Sequence, residues 1–243
     1  TITGTNDAPA ITGGPDSSSL TETDSGLTDS GTLTVSDSDV TDIVTATVDS
    51  VTVGGTGAGK VPGGLTNAIL QGFVSVSPTT ILNGMQTTNP LAWDFSSGSE
   101  AFDFLATGET LVLTYTVSAT DDDGTPLDDL ETITVTITGT NDGPAVANAI
   151  TNQSAVEDAP FSFTFAANTF GDLDADPLTY TAALADNSPL PSWLSFDGAT
   201  RTFSGTPANG DVGTISVKVT ADDGTATVDD TFDIDVANTN DAP

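Results

Sequence analysis

A short segment that recurs along the chain most constrains how it can fold. TITGTNDAPA at residues 1–10 returns as TITGTNDGPA at 136–145, and VANTNDAP occurs at 236–243. Repeats of this kind mark units that fold separately and follow one another along a chain. The repeats therefore predict a linker over 1–9, a first module over 10–142, and a smaller second module with its exit linker over 143–243.

Both modules consist of short runs in which apolar and polar residues alternate. Examples are LVLTYTVSA at 111–119, TITVTITG at 132–139, ISVKVTA at 215–221 and TFDIDVA at 231–237. Runs of Val, Ile, Thr and Phe with period two, bounded by Gly, Pro, Asp and Asn, are typical of strands with one buried face. The pattern predicts an all-β chain of two tandem antiparallel β-sandwiches joined by a short acidic linker.

The ends of the two modules also match each other. Residues 111–142 parallel residues 213–241: an alternating strand, Ala-x-Asp beside further acidic residues and Gly, a second alternating strand, and Asn-Asp. We therefore expect both modules to end in the same hairpin. The Gly-rich stretch 54–90 lacks this regularity and predicts an enlarged loop or an extra hairpin in the first module.

The charge of the chain requires a positively charged partner. It contains 35 acidic side chains against three basic ones, Lys60, Arg201 and Lys218, and its formal net charge is −32. So many carboxylates repel one another unless cations from outside the chain neutralise them. Calcium fits best, because carboxylate, Asn and backbone oxygens are its usual ligands, whereas the His and Cys ligands of zinc, copper or iron–sulfur sites are absent.

The same charge disfavours several classes of partner. Nucleic acid and anionic membrane surfaces repel such a chain, and self-repulsion favours a monomer. The sequence has no apolar stretch long enough to span a membrane and no charged-then-apolar leader, so we expect no membrane insertion and expect any targeting signals to lie outside this sequence.

Acidic clusters recur in the same order in the two modules. In and around the second they are Asn141-Asp142, Glu157-Asp158, the run Asp172, Asp174 and Asp176, the pair Asp222-Asp223, and Asn240-Asp241. In the first they are Asn6-Asp7, Glu22 and Asp24, the run Asp37, Asp39 and Asp42, and Asp121 to Asp123. A single Asp is usually a turn residue or a solvated charge, but the repeated order favours a binding role.

The spacing of these clusters predicts a calcium site assembled from several loops. Loops of alternate strands meet at one end of a sandwich, and no single loop here supplies the six to eight oxygens that calcium takes. An extended Asp-x-Asp such as Asp174 and Asp176 places two carboxylates on one side of the chain, about 6.5 to 7 Å apart. We expect Glu157 to face the junction with the first module and Asp223 the junction with whatever follows.

Both modules resemble known families. The first is similar to a VCBS repeat over residues 10–142, on the strength of LTETDSG, GTLTVSDSD, SSGSEAFDFLATGETLVLTYTVSATDDDG and ITVTITGTND. The second resembles the dystroglycan-type cadherin-like domains of bacterial proteins over residues 143–241, through VEDAPFSFTF, FGDLDADPLTYTAAL, PLPSWLSFD and RTFSGTPANGDVGTISVKVTADDG.

The resemblance implies Ig-like or cadherin-like sandwiches from a large RTX adhesin, exported by type I secretion to the bacterial surface, with a role in cell adhesion and biofilms. It also implies calcium at the module junctions. The ligands that it indicates are Asp121, Asn141, Asp142, Glu157, Asp174, Asp176, Asp223, Asn240 and Asp241, and their counterparts in the first module are Glu22, Asp37 and Asp39.

We consider three functions. The first is a structural and adhesive module pair that calcium stiffens, with neighbouring modules of the same chain as partners. The second is calcium-dependent recognition of a polysaccharide or peptide through the 54–90 stretch or through Trp93 and Trp193, which otherwise belong to the sandwich cores. The third, a glycosidase using paired carboxylates, is disfavoured because such pairs are abundant by composition alone and the chain has no His or Cys, so we expect no enzyme.

Overall fold

The structure is a computed structural model that describes residues 4–123 and 127–240. The chain divides into two compact units, Thr1–Thr140 and Asn141–Pro243. Both units are built from β-strands, as the alternating runs predict.

The first unit contains nine strands among its described residues. They are β1 (Ala10–Thr12), β2 (Asp16–Thr21), β3 (Thr28–Ser36), β4 (Ile43–Gly54), β5 (Val74–Ser77), β6 (Thr80–Asn83), β7 (Thr88–Ser96), β8 (Thr110–Thr120) and β9 (Asp128–Thr138). A 3-10 helix over Ala58–Lys60 and a short α-helix, α1 (Asn67–Gln71), lie between β4 and β5. One sheet has the order β1-β3-β7-β5 and the other the order β2-β9-β8-β4-β6.

Alternation along β8 decides which side chains form the core of this unit. Leu111, Leu113, Tyr115 and Val117 point inward and are fully buried, while the residues between them are only half-buried. The buried tyrosine keeps a hydrogen bond, because its hydroxyl donates to the carbonyl of Leu70 in α1 at 2.9 Å. Burial raises the pKa of that hydroxyl, so it stays protonated and holds α1 against the sheet.

The second unit also contains nine strands in the part of the chain that the structure describes. They are β10 (Ala145–Val146), β11 (Gln153–Val156), β12 (Phe161–Thr164), β13 (Phe170–Gly171), β14 (Thr179–Leu184), β15 (Leu194–Asp197), β16 (Thr202–Gly205), β17 (Gly213–Asp222) and β18 (Thr227–Ala237). One sheet has the order β11-β18-β17-β14, a second the order β12-β16-β15, and β10 pairs with β13. A second 3-10 helix covers Asn209–Asp211.

The two units share the pairing of their last strands. β8 pairs with β9, and β17 with β18, as antiparallel ladders over their full lengths, which confirms the predicted common hairpin. In each unit an early strand then adds in parallel to the last one: β2 lies beside β9, and β11 beside β18. Chain entry and chain exit are therefore held by neighbouring strands in both units.

The stretch 54–90 agrees with its prediction only in part. Residues 55–73 form an enlarged connection without a strand, but the rest is not a hairpin, because β5 pairs with β7 in one sheet and β6 pairs with β4 in the other. Leu70 and Val74 from this stretch are buried in the core. These elements could not be predicted from the Gly-rich sequence, because each is too short to show a clear hydrophobic period. Among the described residues, no helix is long and apolar enough to cross a membrane.

An aromatic cluster makes a specific prediction about the second unit. Phe203 is fully buried, and its ring centroid lies 4.5 Å from that of Phe196 and 5.6 Å from that of Phe232. Phe203→Ala should lower the free energy of unfolding by about 3 to 5 kcal/mol, because it leaves a cavity that the sandwich cannot close. Urea unfolding followed through amide NMR signals of the second unit measures this. Val212→Ala, at a side chain 42% exposed, is the control and should change stability by less than about 0.5 kcal/mol.

Candidate metal sites

Three carboxylates meet at one end of the first unit, which we call its leading pole. Asp37 follows β3, Asp42 precedes β4 and Asp121 follows β8, so these strand ends bring them together. All three are buried, and one carboxylate oxygen from each lies within 4.8 Å of the others. The fold thus assembles a cluster of negative charge from residues up to 84 positions apart in the sequence.

A local turn selects which aspartates join this cluster. The amide of Asp39 donates to Oδ1 of Asp37 at 2.8 Å, and the amide of Asp42 donates to the carbonyl of Asp39 at 3.0 Å. This turn brings Asp42 beside Asp37, whereas Oδ2 of Asp39 accepts a hydrogen bond from the linker. The predicted ligand Asp39 therefore lies outside the cluster. Asp42 belongs to the cluster, although the sequence indicated it only as one member of an acidic run.

The chain that enters the first unit is tied to the same pole. The side-chain amide of Asn6 donates to Oδ2 of Asp121 at 2.9 Å, and the backbone amide of Asp7 donates to Oδ2 of Asp39 at 2.7 Å. The Asn-Asp pair thus folds back onto the module that it precedes. Asp39 accepts a hydrogen bond from the linker, whereas the three clustered carboxylates lie close to one another.

Several oxygens at this pole are buried without a hydrogen-bond donor. They are Oδ2 of Asp37, Oδ2 of Asp42 and Oδ1 of Asn6. Burial, followed by the charges of neighbouring aspartates, raises the pKa of Asp42, and burial also raises that of Asp37 despite the hydrogen bond from Asp39. Buried carboxylates without donors are costly unless a cation or a proton compensates them. The pole therefore has the properties of a cation site, and the atoms that could coordinate a metal there are all oxygens.

The leading pole of the second unit repeats the arrangement. The side-chain amide of Asn141 donates to Oδ2 of Asp223 at 3.1 Å, and the backbone amide of Asp142 donates to Oδ2 of Asp174 at 2.9 Å. Donation from the backbone amide of Ala226, together with that from Asn141, lowers the pKa of Asp223. The Asn-Asp linker thus makes the same two contacts in both units.

The acidic run of the second unit is not extended. One carboxylate oxygen from each of Asp172, Asp174 and Asp176 lies within 4.8 Å of the others. The reason is Ala175, whose φ of 63° places it in the left-handed region and turns the chain back. The prediction of an extended Asp-x-Asp was therefore wrong, and Asp172 joins the group. Oδ2 of Asp172 is buried and has no hydrogen-bond donor among the described residues.

A buried glutamate holds the departing chain at the opposite end of each unit, its trailing pole. In the first unit Oε1 of Glu22 accepts from the amide of Thr140 at 3.0 Å and also from its hydroxyl. In the second, Oε1 of Glu157 accepts from the side chain of Asn238 at 2.6 Å and from the amide of Thr239 at 2.5 Å. In both glutamates Oε2 is buried without a donor.

This placement corrects the predicted directions of two residues. We expected Glu157 to face the junction with the first unit and Asp223 to face the following junction. The hydrogen bonds show the reverse, because Asp223 binds Asn141 of the leading linker while Glu157 binds Asn238 of the trailing one. Of the trailing pair, Asn240 is exposed, and Asp241 lies outside the described residues.

Two further aspartates repeat between the units, and the sequence argument missed them. Oδ2 of Asp129 accepts from the amide of Ile11 at 2.7 Å, and Oδ2 of Asp230 accepts from the amide of Ile150 at 2.6 Å. Both lie near the start of the last strand, in LDDLE and VDDTF. The Asp-Asp pair at the start of that strand was the available signal, and it marks a carboxylate that secures the incoming chain.

The tryptophans give no support to a sugar platform. Trp93 is 1% exposed, and its indole Nε1 donates to Oδ2 of Asp16 at 2.8 Å. Gly31 makes room for this contact, since a Cβ there would stand 2.5 Å from both groups. Trp193 is half-buried and packs edge-on against Phe161, with ring centroids 6.2 Å apart. Trp93 is therefore a core residue.

Comparisons with known proteins agree with the sandwich architecture. Residues 143–237 match the family model He_PIG, described as "Putative Ig domain". No curated protein matches the chain. Among solved structures, extracellular cadherin domains 1–5 of protocadherin gamma B2 align with 98% of this chain and 41% of their own, at 16% identity and a TM-score of 0.57. Mouse cadherin-23 domains EC22–24 align with 96% of this chain and 67% of their own, at 14% identity and a TM-score of 0.51.

A weaker similarity carries no argument. An endo-fucoidan hydrolase from glycoside hydrolase family 107 aligns with 98% of this chain at 19% identity, but its TM-score is 0.35. The chain spans 30% of that enzyme and less than half of the protocadherin fragment. The comparisons and the strands together confirm the predicted fold class, all-β with Ig-like and cadherin-like domains.

The two glutamates predict a pair of matched effects on the chain that leaves each unit. Glu22→Ala should speed hydrogen exchange of the Thr140 amide, because that amide loses its acceptor, and should leave Thr239 unchanged. Glu157→Ala should do the opposite. Amide exchange measured by NMR in EDTA tests both, and each variant is the control for the other. Equal protection of Thr140 and Thr239 in all three proteins would contradict the assignment.

Proposed function

We propose that this chain is a pair of extracellular structural and adhesive modules that bind Ca²⁺ at their leading poles and are stiffened by it. The observation that carries the proposal is the convergence of Asp37, Asp42 and Asp121 as buried carboxylates, with two of their oxygens lacking any donor. A cluster of this kind is costly when all three carboxylates are ionised, and a bound cation would offset that cost.

The charge at this pole explains why a divalent ion is favoured. Two carboxylates about 5 Å apart repel by roughly 3 kcal/mol at an effective dielectric constant of 20, and this cluster contains three such pairs. The chain has only three basic side chains, and Lys60 and Lys218 form ion pairs with Glu109 and Asp229. A bound divalent cation would replace this repulsion by attraction.

The ligand atoms favour calcium over magnesium. Asp37, Asp42, Asp121 and the side-chain carbonyl of Asn6 offer oxygens from three strand ends and a linker. Calcium accepts six to eight oxygens in irregular arrangements, whereas magnesium requires a near-ideal octahedron and retains water. A site assembled from separate loops therefore suits calcium, which is also what the resemblance to cadherin-like domains implies.

The linker contacts connect metal binding to stiffness. Asn6 shares Asp121 with the cluster, and in the second unit Asn141 and Asp142 bind Asp223 and Asp174. An ion held by these carboxylates would hold the linker against the module that follows it. Because the second linker continues directly from β9, ordering it would restrict movement of the first module with respect to the second.

Location and partners follow from the affinity that such a site requires. With a Kd of about 10⁻⁴ M it is mostly filled at millimolar extracellular calcium and mostly empty in a cytosol with micromolar calcium or less. An affinity of this order suits modules outside the cell. The resemblance to VCBS repeats and cadherin-like domains is what leads us to assign them to a repetitive bacterial surface adhesin of the RTX type exported by type I secretion. Their partners are neighbouring modules of the same chain, the chain acts as a monomer, and we assign no catalysis to either module.

Calorimetry with and without calcium tests the metal site. About 5 mM Ca²⁺ should add roughly 2 kcal/mol to the free energy of unfolding of the first unit for a Kd near 10⁻⁴ M, and the same concentration of Mg²⁺ should add much less. Asp42→Asn should remove most of the calcium effect, because it takes away one buried charged ligand.

The matched control is Asp94→Asn, which removes the same charge from an exposed position of β7. It should leave the calcium effect intact. If both variants respond to calcium as the parent protein does, the cluster is not a site and the added stability comes from general charge screening.

Small-angle X-ray scattering tests the stiffening separately. We expect calcium to narrow the distribution of dimensions of the two-module chain, because linker ordering removes conformational freedom. Scattering should be compared in EDTA, in calcium, and in calcium with Asp223→Asn, which weakens the hold on Asn141. Unchanged distributions together with a normal calorimetric response would leave a metal-binding module pair and refute the stiffening.

A further inference from the structure

A surface groove in the second unit lies where the edge strand β14 meets the turn between β15 and β16. Its volume is about 430 Å³, and it is lined by Leu178, Thr179, Tyr180, Gly198, Ala199 and Arg201. None of these residues belongs to the acidic clusters. The volume lies within the range of about 300 to 1,000 Å³ that is usual for small-ligand sites.

Arg201 differs from the other two cations of the chain. Lys60 and Lys218 lie 2.8 and 3.1 Å from carboxylates of Glu109 and Asp229, whereas within the described residues no carboxylate lies within 4.0 Å of the Arg201 guanidinium. Its Nε is buried and has no hydrogen-bond partner in the same residues. In a chain with 35 acidic side chains, an arginine without an acidic neighbour is available to an external anion.

The acidic residue nearest in sequence is engaged in the turn itself. Asp197 accepts from the amide of Ala199 at 3.0 Å and from the hydroxyl of Thr200 at 2.8 Å. These hydrogen bonds lower the pKa of Asp197, and the one from the Thr200 hydroxyl has the largest effect. Its carboxylate therefore stabilises the turn that carries Arg201 and does not neutralise the guanidinium.

The backbone at Arg201 is strained. Its φ of 56° lies in the left-handed region, which glycine adopts without cost and other residues adopt reluctantly. Strain of this kind at a non-glycine residue often accompanies a functional side chain. The turn does not need the arginine side chain for its own conformation.

Besides Arg201, the groove has a mixed lining that includes one firmly held aromatic residue. The ring of Tyr180 packs on Phe165 and Phe170, with centroids 5.4 and 5.8 Å apart, so its orientation is set by the core. A Cβ at Gly198 would stand 2.3 Å from the carbonyl oxygen of Tyr180, which means that only glycine fits this close approach. The result is a shallow site with a fixed aromatic residue and one planar cation.

We propose that this groove binds the carboxylate of an acidic sugar residue, such as a uronate unit of a polysaccharide. The guanidinium fork pairs with a carboxylate through two parallel hydrogen bonds, and an aromatic side chain beside it suits the apolar face of a sugar ring. A peptide C-terminus fits less well, because Gly198 covers the edge of β14 at Tyr180 where an added strand would pair. None of the residues that line this groove belongs to the clustered carboxylates, although Thr179 pairs with Asp222 beside the leading pole, and the proposed contact with Arg201 requires no calcium.

The net charge of the chain sets the conditions for binding. At −32 it repels a polyanion over long distances, but salt near 0.15 M screens charges beyond about 8 Å. Contact between one carboxylate and Arg201 is shorter than this range. The groove should therefore bind a short acidic oligosaccharide at physiological ionic strength.

NMR titration of the whole chain with digalacturonic acid, in EDTA and about 0.15 M salt, tests the proposal. We expect saturable amide shifts at residues 178–180 and 198–201 with a Kd of about 1 mM, in the range of a small polar ligand. Arg201→Gln should weaken binding by about tenfold or more, and Arg201→Lys should weaken it as well, because lysine lacks the planar fork. Lys218→Gln removes the same charge from an ion-paired position and should leave the Kd unchanged.

Arg201→Gly separates binding from folding. It should abolish the titration without lowering the melting temperature, because glycine suits the left-handed backbone at this position. Neutral galactobiose should bind at least about tenfold more weakly than the uronate, since it offers the guanidinium no charged oxygen.

Four results would overturn the proposal. One is the absence of shifts up to about 10 mM ligand, which corresponds to negligible affinity. The second is equal binding of galactobiose, and the third is an unchanged Kd in Arg201→Gln. The fourth is tighter binding of a short peptide through its C-terminal carboxylate, which would replace the sugar. Calcium binding is measured in different variants, so failure here leaves the proposed function intact.

Discussion

Repulsion among buried carboxylates is the interaction on which the arrangement of these modules depends. In the first unit, strand ends from β3, β4 and β8 bring Asp37, Asp42 and Asp121 together, and burial denies them water. Within the described residues, no basic side chain forms an ion pair with these three carboxylates. The β-sheets of each unit are complete without any added group, but buried carboxylate oxygens at the pole have no hydrogen-bond donor, and this is why we propose that an external cation becomes part of the folded state.

The second unit repeats this design with different sequence around it. In both units an Asn side chain of the leading linker donates to the Asp that follows the penultimate strand, through Asn6 and Asp121 or through Asn141 and Asp223. In both, a buried Glu holds the trailing chain. The linkers are thus part of the modules in terms of hydrogen bonding, and neighbouring modules in a repetitive chain would be joined through the same groups that we propose as metal ligands.

Much of this was accessible to sequence reasoning, and the errors have local causes. Alternation in runs such as LVLTYTVSA predicts strands and buried faces correctly, since period two is a property of each strand alone. Within the stretch 54–90, the pairing of β5 and β6 could not be predicted, because each takes its sheet from a partner elsewhere in the chain. The prediction of Trp93 as a core residue is confirmed, but its contacts with Gly31 and Asp16 could not be predicted, because these residues lie far from it along the chain.

The sequence by itself determined that this chain forms β-structure, that its modules end in matching strands, and that acidic residues recur in the same order, because these depend on composition and local period. Only the tertiary structure decided which carboxylates meet. A turn brings in Asp42 and not Asp39, a left-handed Ala175 folds the acidic run, and strand pairing places Asp223 at the leading pole and Glu157 at the trailing one. Which carboxylates meet, and at which pole each one lies, depends on how the strands are connected and paired in the sandwich, and no local sequence pattern encodes that.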